Sequence, residues 1–441
     1  MKTSHLSNVA LLIVAGTLAM SAAQPAHGQS PPNIGMVVNT VADLIDHDVT
    51  DGICRTSANT CSLRAAIMQA NHLGTPGLTV TIDLPSGTFT LTRLVSGVNG
   101  EDSGDLNLTA PTNANQLIVI RGTSAASTII DANQIDRVLR ISPQRTAVVH
   151  AVTIRNGRTT GTPNFVGGCI FNSGILTLTS SVIEGCMGNY GGGIANTGAL
   201  TVVASTLRSN VATQSGGGLY VEGQVIVRNS TFHGNTAHVS GGGVAVPAIG
   251  LHFYAVNSTI SANVAYLNGG GVHNQSTTFL YNTSVIGNDA DHDQDLQGGI
   301  GGGVYNVPGS RLAVVNTLIA DNTLGNVPVF NDCAGTLEAY GWNLLHDMSG
   351  CSIPNGAAWG FILANSFGIL KDNGGPTWTH ALLPGSRAID TTDNDLGCID
   401  ETGALLATDQ RGAVRVFGPR CDVGAFEYGA FIDRVFMNGF D

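Results

Sequence analysis

The sequence predicts an all-β chain wound as a right-handed, single-stranded parallel β-helix, and three observations predict it. Six times a run of glycines leads into one apolar residue, at Ile170, Ile194, Leu219, Val244, Val272 and Val304, with spacings of 24, 25, 25, 28 and 32 residues. A period in that range marks a solenoid in which each repeat stacks on the next. Alternating apolar pairs such as Leu200/Val202, Val225/Val227, Phe253/Ala255 and Leu312/Val314 have the period of strands with one buried face. None of the repeats carries a stretch of helical period of roughly 10–12 residues.

Short strands joined by Gly-rich corners fit a coil of three strands, with successive coils paired in parallel about 4.8 Å apart. Right-handed winding follows from the general rule for parallel crossovers. A leucine-rich repeat has a comparable period, but its Leu spacing and Asn position are missing. Glycine in each triplet supplies the positive φ of a sharp corner.

Aligned on the glycines, the repeats show an apolar column at Ile183, Leu207, Phe232, Ile260, Val285 and Ile319. Three residues later come Cys186, Asn210, Asn235, Asn263, Asn288 and Asn322; three residues earlier stand Ser180, Ala204, Asn229, Asn257, Asn282 and Asn316. Asn tolerates left-handed backbone, and its amide both donates and accepts. Stacked at one strand spacing, such amides bond from coil to coil, so both columns are expected to be structural ladders. Asn229-Ser-Thr, Asn257-Ser-Thr and Asn282-Thr-Ser also read as glycosylation acceptors. Asn316-Thr-Leu keeps the Asn without the acceptor pattern, which favours the ladder.

The 441 residues include 58 Gly and 11% charged residues, with a net charge of −12. The lysines are Lys2 and Lys371. Without a basic stripe, nucleic acid and anionic membranes are poor partners. Met1-Lys2, an apolar run from Val9 to Ala23 and Pro25-Ala26-His27-Gly28 read as a secretory signal peptide cut after Gly28, with Ala23 as the alternative. The run is too short for a membrane anchor, and no later stretch is long and apolar enough to span. Eight cysteines in an exported chain suggest four disulfides. Connectivity does not follow from sequence; chain order suggests Cys54–Cys61, Cys169–Cys186, Cys333–Cys351 and Cys398–Cys421. Metal ligation is the rival, but no CxxC pair occurs.

A solenoid needs covered ends. Cys61-Ser-Leu-Arg-Ala-Ala-Ile-Met-Gln-Ala-Asn71 is an amphipathic helix in pattern, with Leu63, Ile67 and Ala70 on one face and Ser62 placed to cap it. It would shield the apolar interior of the first coil. This run resembles the CSLREA domain, with Ala65 in place of that motif's acidic residue. Thr40-Val-Ala-Asp43, Asp51-Gly-Ile-Cys54, Leu84-Pro-Ser-Gly-Thr88 and Gly104-Asp-Leu-Asn107 resemble its surroundings. Lys371-Asp-Asn-Gly-Gly-Pro-Thr377, Leu382-Leu-Pro-Gly-Ser-Arg-Ala-Ile-Asp390, Asp409-Gln-Arg-Gly412 and Cys421-Asp-Val-Gly-Ala-Phe-Glu427 resemble a choice-of-anchor Q module. The glycine repeats are similar to those of polymorphic outer-membrane proteins. These resemblances imply an exported bacterial surface protein with a pectate-lyase-like solenoid. They divide the chain into a signal peptide (1–28), a cap with the first coils (29–110), β-helix repeats (111–325), C-terminal coils with the terminal module (326–429) and a tail (430–441). The tail is similar to short Gly-Phe-acid sorting tails.

Chemistry is sparse. Glycoside hydrolysis needs paired carboxylates, and the Asn-Thr-Asp and Gly-His-Gly runs of polygalacturonases are absent. A lyase needs a basic residue, usually with a Ca²⁺ cluster. Arg155, Arg208 and Arg228 have no acidic neighbour at a telling spacing and read as solvated surface residues. Asp289, Asp291, Asp293 and Asp295 alternate in the longest repeat interval and could wrap one Ca²⁺, or form a solvated acidic loop. Asp43, Asp46, Asp48 and Asp51 offer the same choice. His233, His252, His273 and His292 fall on different repeats without metal spacing and read as structural. No cofactor other than calcium is suggested. The expected function is a surface-associated scaffold for binding or adhesion to glycans or surface polymers, which leaves catalysis open. A polysaccharide lyase or glycoside hydrolase is the alternative, and a structural envelope protein the second.

Overall fold

A computed structural model describes residues 33–94, 100–110, 115–159, 166–293, 298–325, 329–354, 359–392 and 397–431. The expected signal peptide, Asp295 and tail residues 432–441 lie outside them. The chain is a parallel β-helix. Each turn adds one strand to each of several sheets, with register such as Val225 opposite Phe253 and Val227 opposite Ala255. Among the described residues, ten strands form sheet I, eleven form sheet II and eleven form sheet III.

One coil shows the winding. Leu219–Val221 lies in sheet I, Gln224–Arg228 in sheet II and Thr231–His233 in sheet III. Leu219, Val221, Val225, Val227 and Phe232 point inward and are buried. The coil differs from the expected three-strand form by a fourth strand, Thr236–Ala237, in a seven-stranded sheet IV. Gly234 turns the chain at φ 63°, and Asn235 then holds the corner from inside. A two-residue strand has no periodicity for a sequence to display.

The inner Asn column is a continuous ladder. Nδ2 donates to the next Oδ1 from Asn210 to Asn235 (2.9 Å), Asn235 to Asn263 (2.8 Å), Asn263 to Asn288 (2.9 Å) and Asn288 to Asn322 (2.9 Å). Asn263 shows the full pattern. Its Nδ2 also donates to the Phe232 carbonyl at 3.0 Å, and its Oδ1 also accepts the Asn235 backbone N–H at 3.1 Å. Both amide ends are satisfied, which offsets the cost of burying an unpaired polar group, about 1–3 kcal/mol each. Two shorter ladders, Asn172 to Asn196 (2.6 Å) and Asn274 to Asn306 (2.7 Å), run inside the sheet I corner.

The glycine triplets fit onto this ladder. In Gly241-Gly242-Gly243 the first residue has φ 70°. A Cβ on Gly242 would collide with the carbonyl oxygens of Val264 and Gly270 in the next coil. A Cβ on Gly243 would press on the Asn263 amide at 3.1 Å. Positive φ therefore accounts for the first glycine, and close approach of adjacent coils accounts for the other two.

The outer Asn column behaves differently. Asn229, Asn257, Asn282 and Asn316 all have positive φ. Asn257 donates to Asn229 at 2.8 Å, but the column then turns to the C-terminal segment. Asn257 donates to the Thr408 carbonyl (3.0 Å), Asn282 to that of Ile399 (2.7 Å) and Asn316 to that of Gly397. Asn257 and Asn282 are buried under that segment, so neither presents a glycosylation acceptor.

The C-terminal segment folds back along the solenoid. Gln410 bonds Thr231 and Thr259, His380 bonds Ser261, and Ala425 N–H donates to Ser284. Phe367, Leu382, Val423 and Phe426 pack on Ile286, Leu318, Ala320 and Leu344. The segment is pinned internally by Arg411, which pairs with Asp409 and lies 3.6 Å over the Phe426 ring, and by buried Arg415 beside Glu427. At the other end Leu63–His72 is a helix with Ser62 capping Ala65 N–H. It is buried on nearly every side, and Arg64 pairs with Asp43 at 2.6 Å beneath the surface. The cysteines form four disulfides, Cys54–Cys61, Cys169–Cys186, Cys333–Cys351 and Cys398–Cys421. No helix among the described residues is long and apolar enough to cross a membrane.

Candidate functional site

The parallel register turns outward side chains into rows along the axis. The outward row of sheet I runs Phe171, Ala195, Tyr220, Ala245, His273 and Tyr305, on successive coils. Rings thus alternate with alanine through His273. Over Ala245 the row sinks into a groove of about 390 Å³, walled by Tyr220 and His273 along the axis. Ser215, Ser240, Leu267 and Asn268 form one side, and Pro247 and Gln275 the other. The Pro247 wall comes from the lengthened corner between Val246 and His252, closed by a turn from Gly250 N–H to the Pro247 carbonyl at 2.7 Å. Tyr190 tilts against Tyr220 at 4.9 Å between centroids, and His273 against Tyr305 at 5.5 Å. Burial drives His273 down to about 4 and Tyr220 up to about 12, the latter helped by Glu222 and Tyr190. Both are neutral at neutral pH. The volume falls in the range of small-ligand sites, and an apolar wall with a few polar groups is their usual lining.

Sheet II carries a second outward row. Tyr254 stacks on Phe279 at 4.8 Å and 5°. His252 meets Tyr254 edge-on, Tyr281 lies beside Phe279, and Arg311 sits 5.0 Å over the Phe279 ring while bonding Glu338 at 2.8 Å. At one edge Arg228 pairs with Asp400 and Glu401 from the C-terminal segment. Burial raises the Glu401 carboxyl, whereas hydrogen bonds from Thr402 and Ala404, with Arg228 nearby, hold Asp400 down against its own burial. Glu401 Oε2 is buried and has no hydrogen-bond partner among the described residues.

The arginines are not simply solvated. Arg155 pairs with Asp131 at 2.8 Å, Arg208 with Glu184 at 2.6 Å, and Arg228 as above. Asp131, Arg155, Glu184 and Arg208 occupy one outward row of sheet III on successive coils. The Asp131–Arg155 and Glu184–Arg208 bridges each span 24 residues, one coil, so no local spacing shows them.

Among the described residues the acidic side chains of the two stretches make separate contacts. Asp289 accepts Thr323 Oγ1 at 2.8 Å and contacts His292 Nδ1 at 2.7 Å. Asp291 sits at φ 54°, Asp293 is exposed, and Asp295 is outside the described residues. Asp43 binds Arg64 and the N–H groups of Thr92 and Arg93. Asp46, Asp48 and Asp51 each close a local turn, on Asp48, Thr50 and Ile53 respectively. Among the described residues no group of three or more His, Cys, Asp or Glu is placed to hold a metal. The histidines contact different neighbours: His233 stacks on Trp378 at 5.4 Å, His252 lies on sheet II and His273 in the groove. The groove and the stacked rings were missed from sequence, since a row appears only when residues one coil apart are set side by side.

No family model and no curated protein matches the chain. Among solved structures, the crystal structure of pectate lyase Pel9A aligns over 90% of this chain and 97% of that one, with 13% identity and a TM-score of 0.43. The likeness is one of winding and carries no chemistry to this chain.

Proposed function

We propose that this protein is an exported polysaccharide-binding scaffold, with the sheet I groove as its principal site and the sheet II ring row as a second contact. The observation that carries this is the groove over Ala245 between Tyr220 and His273. Sugar rings present apolar faces and polar edges, which suits aromatic walls with hydroxyl and amide groups at the rim. Four disulfides fit an oxidising compartment. The test is sedimentation with insoluble polysaccharides, comparing the wild type with Tyr220→Ala and Tyr254→Ala. Retention of the wild type and loss in Tyr220→Ala is the expected result; no retention on any polysaccharide refutes the proposal.

A second reading is hydrolysis at the edge of sheet II. Asp400 and Glu401 both pair with Arg228 there, with the Glu401 carboxyl raised by burial and Asp400 held down by hydrogen bonds, and two such carboxylates side by side suit an acid and its partner. Release of reducing sugars by the wild type but not by Glu401→Gln supports it. Sugar release that persists in Glu401→Gln, or none at all, counts against it.

A further inference from the structure

We infer that the sheet I groove takes an uncharged, extended glycan lying along the solenoid axis, and that it discriminates against polyuronates. The inference rests on the binding reading above and adds the ligand's charge and direction.

The charge follows from the lining. The residues around the groove are Tyr190, Tyr220, His273, three apolar side chains besides Ala245, and Ser, Asn and Gln. None of the described lining residues is Arg, Lys, Asp or Glu. A uronate chain brings a carboxylate on every sugar, and each would lose hydration in a half-enclosed groove without a cation to meet it. Glu222, two residues after Tyr220 in the chain, acts electrostatically on the Tyr220 hydroxyl, and its own burial raises its proton affinity. The whole chain adds a net charge of −12, which repels polyanions at a distance. Anionic glycans therefore meet unfavourable terms at long and short range. Neutral sugars meet neither, and can bond Ser215, Ser240, Asn268 and Gln275.

The direction follows from the register. Phe171, Tyr220 and His273 stand two coils apart with Ala195 and Ala245 between them. Two strand spacings make about 9.6 Å. That is roughly the length of a disaccharide unit in an extended chain. Rings recurring at that interval, separated by floors of a single methyl group, match a ligand whose own faces recur along its length. A ligand lying across the axis over Ala245 would pass between the Tyr220 and His273 rings and run into the walls at Pro247 and Leu267.

The test is an array of neutral and uronate oligosaccharides, with titration calorimetry of hits at low and high salt. The proteins are the wild type, Ala245→Leu, which fills the floor, and Tyr220→Ala, which removes one wall without adding bulk; circular dichroism checks folding of both. Expected is binding of neutral chains, unchanged by salt, tighter for chains long enough to reach two floors, and weakened about tenfold or more in both variants. Binding of uronates in preference to neutral chains overturns this inference and leaves the scaffold reading standing. Neutral binding that neither variant weakens places the site elsewhere and also overturns it. Binding of no glycan refutes both.

Discussion

Asp332 accepts the Nδ2 of Asn322 on its Oδ1 at 2.9 Å, where the coils before it present another asparagine. The same oxygen takes the Asn322 backbone N–H at 3.1 Å, and Oδ2 takes those of His346 and Asp347 at 2.7 and 2.8 Å. An asparagine hands an N–H forward; a carboxylate does not. The ladder therefore ends at Asp332, which burial raises to about 6. Asp332→Asn keeps one acceptor but turns an NH2 group toward two backbone donors. The expected loss is about 2 kcal/mol in urea denaturation, and an unshifted midpoint refutes the terminator role.

The tight coil-to-coil approach predicts unequal costs for two glycine substitutions. Gly242→Ala drives a methyl group into backbone carbonyls on the next coil and is expected to cost about 3 kcal/mol or more. Gly35→Ala, with open space around it, is expected to stay within about 0.5 kcal/mol of the wild type. Similar midpoints for the two contradict this packing.

His273 predicts a pH dependence. Its folded value of about 4 lies below the usual 6.5, so the folded state resists the proton that the unfolded chain accepts. Its contribution is complete above pH 6.5 and is lost as pH falls toward 4. The stability difference between wild type and His273→Phe should therefore shift against the wild type by about 3 kcal/mol over that window. A difference independent of pH shows that the ring is solvated.

Burial of Asn257 and Asn282 predicts the outcome of expression in a glycosylating host. Peptide mass spectrometry should find both unmodified, because their amides bond Thr408 and Ile399 inside the contact with the C-terminal segment. A glycan on either would mean that the segment docks elsewhere.

The winding was legible because a strand face repeats at period two and a coil at about 25, and both survive in a linear string. Leu219, Val244 and Val272, which follow the glycines, stack in one column as aligned. What stayed hidden depends on neighbours one coil apart. Asp131 and Arg155 look unrelated in the chain yet share a row. The alternation of Phe171, Ala195, Tyr220 and Ala245 is likewise a property of the register. The docking of the C-terminal segment did leave a signal: sheet III is charged outward at Glu184 and Arg208 but apolar at Ile286 and Ala320, where the segment covers it. In sequence the outer Asn column resembles a second ladder, because Asn at positive φ looks alike in both settings. Only the partner differs.

The coil-to-coil amide bond between Asn235 and Asn263 underlies the stacking of the solenoid, and a double-mutant cycle tests it directly. Asn235→Ala, Asn263→Ala and the double variant are compared by urea denaturation. The predicted result is a coupling energy of about 1 kcal/mol or more, the double variant losing less than the sum of the single ones. Additive losses, within about 0.3 kcal/mol, would mean that the two amides do not touch and would contradict the stacking on which the fold and both outward rows are built.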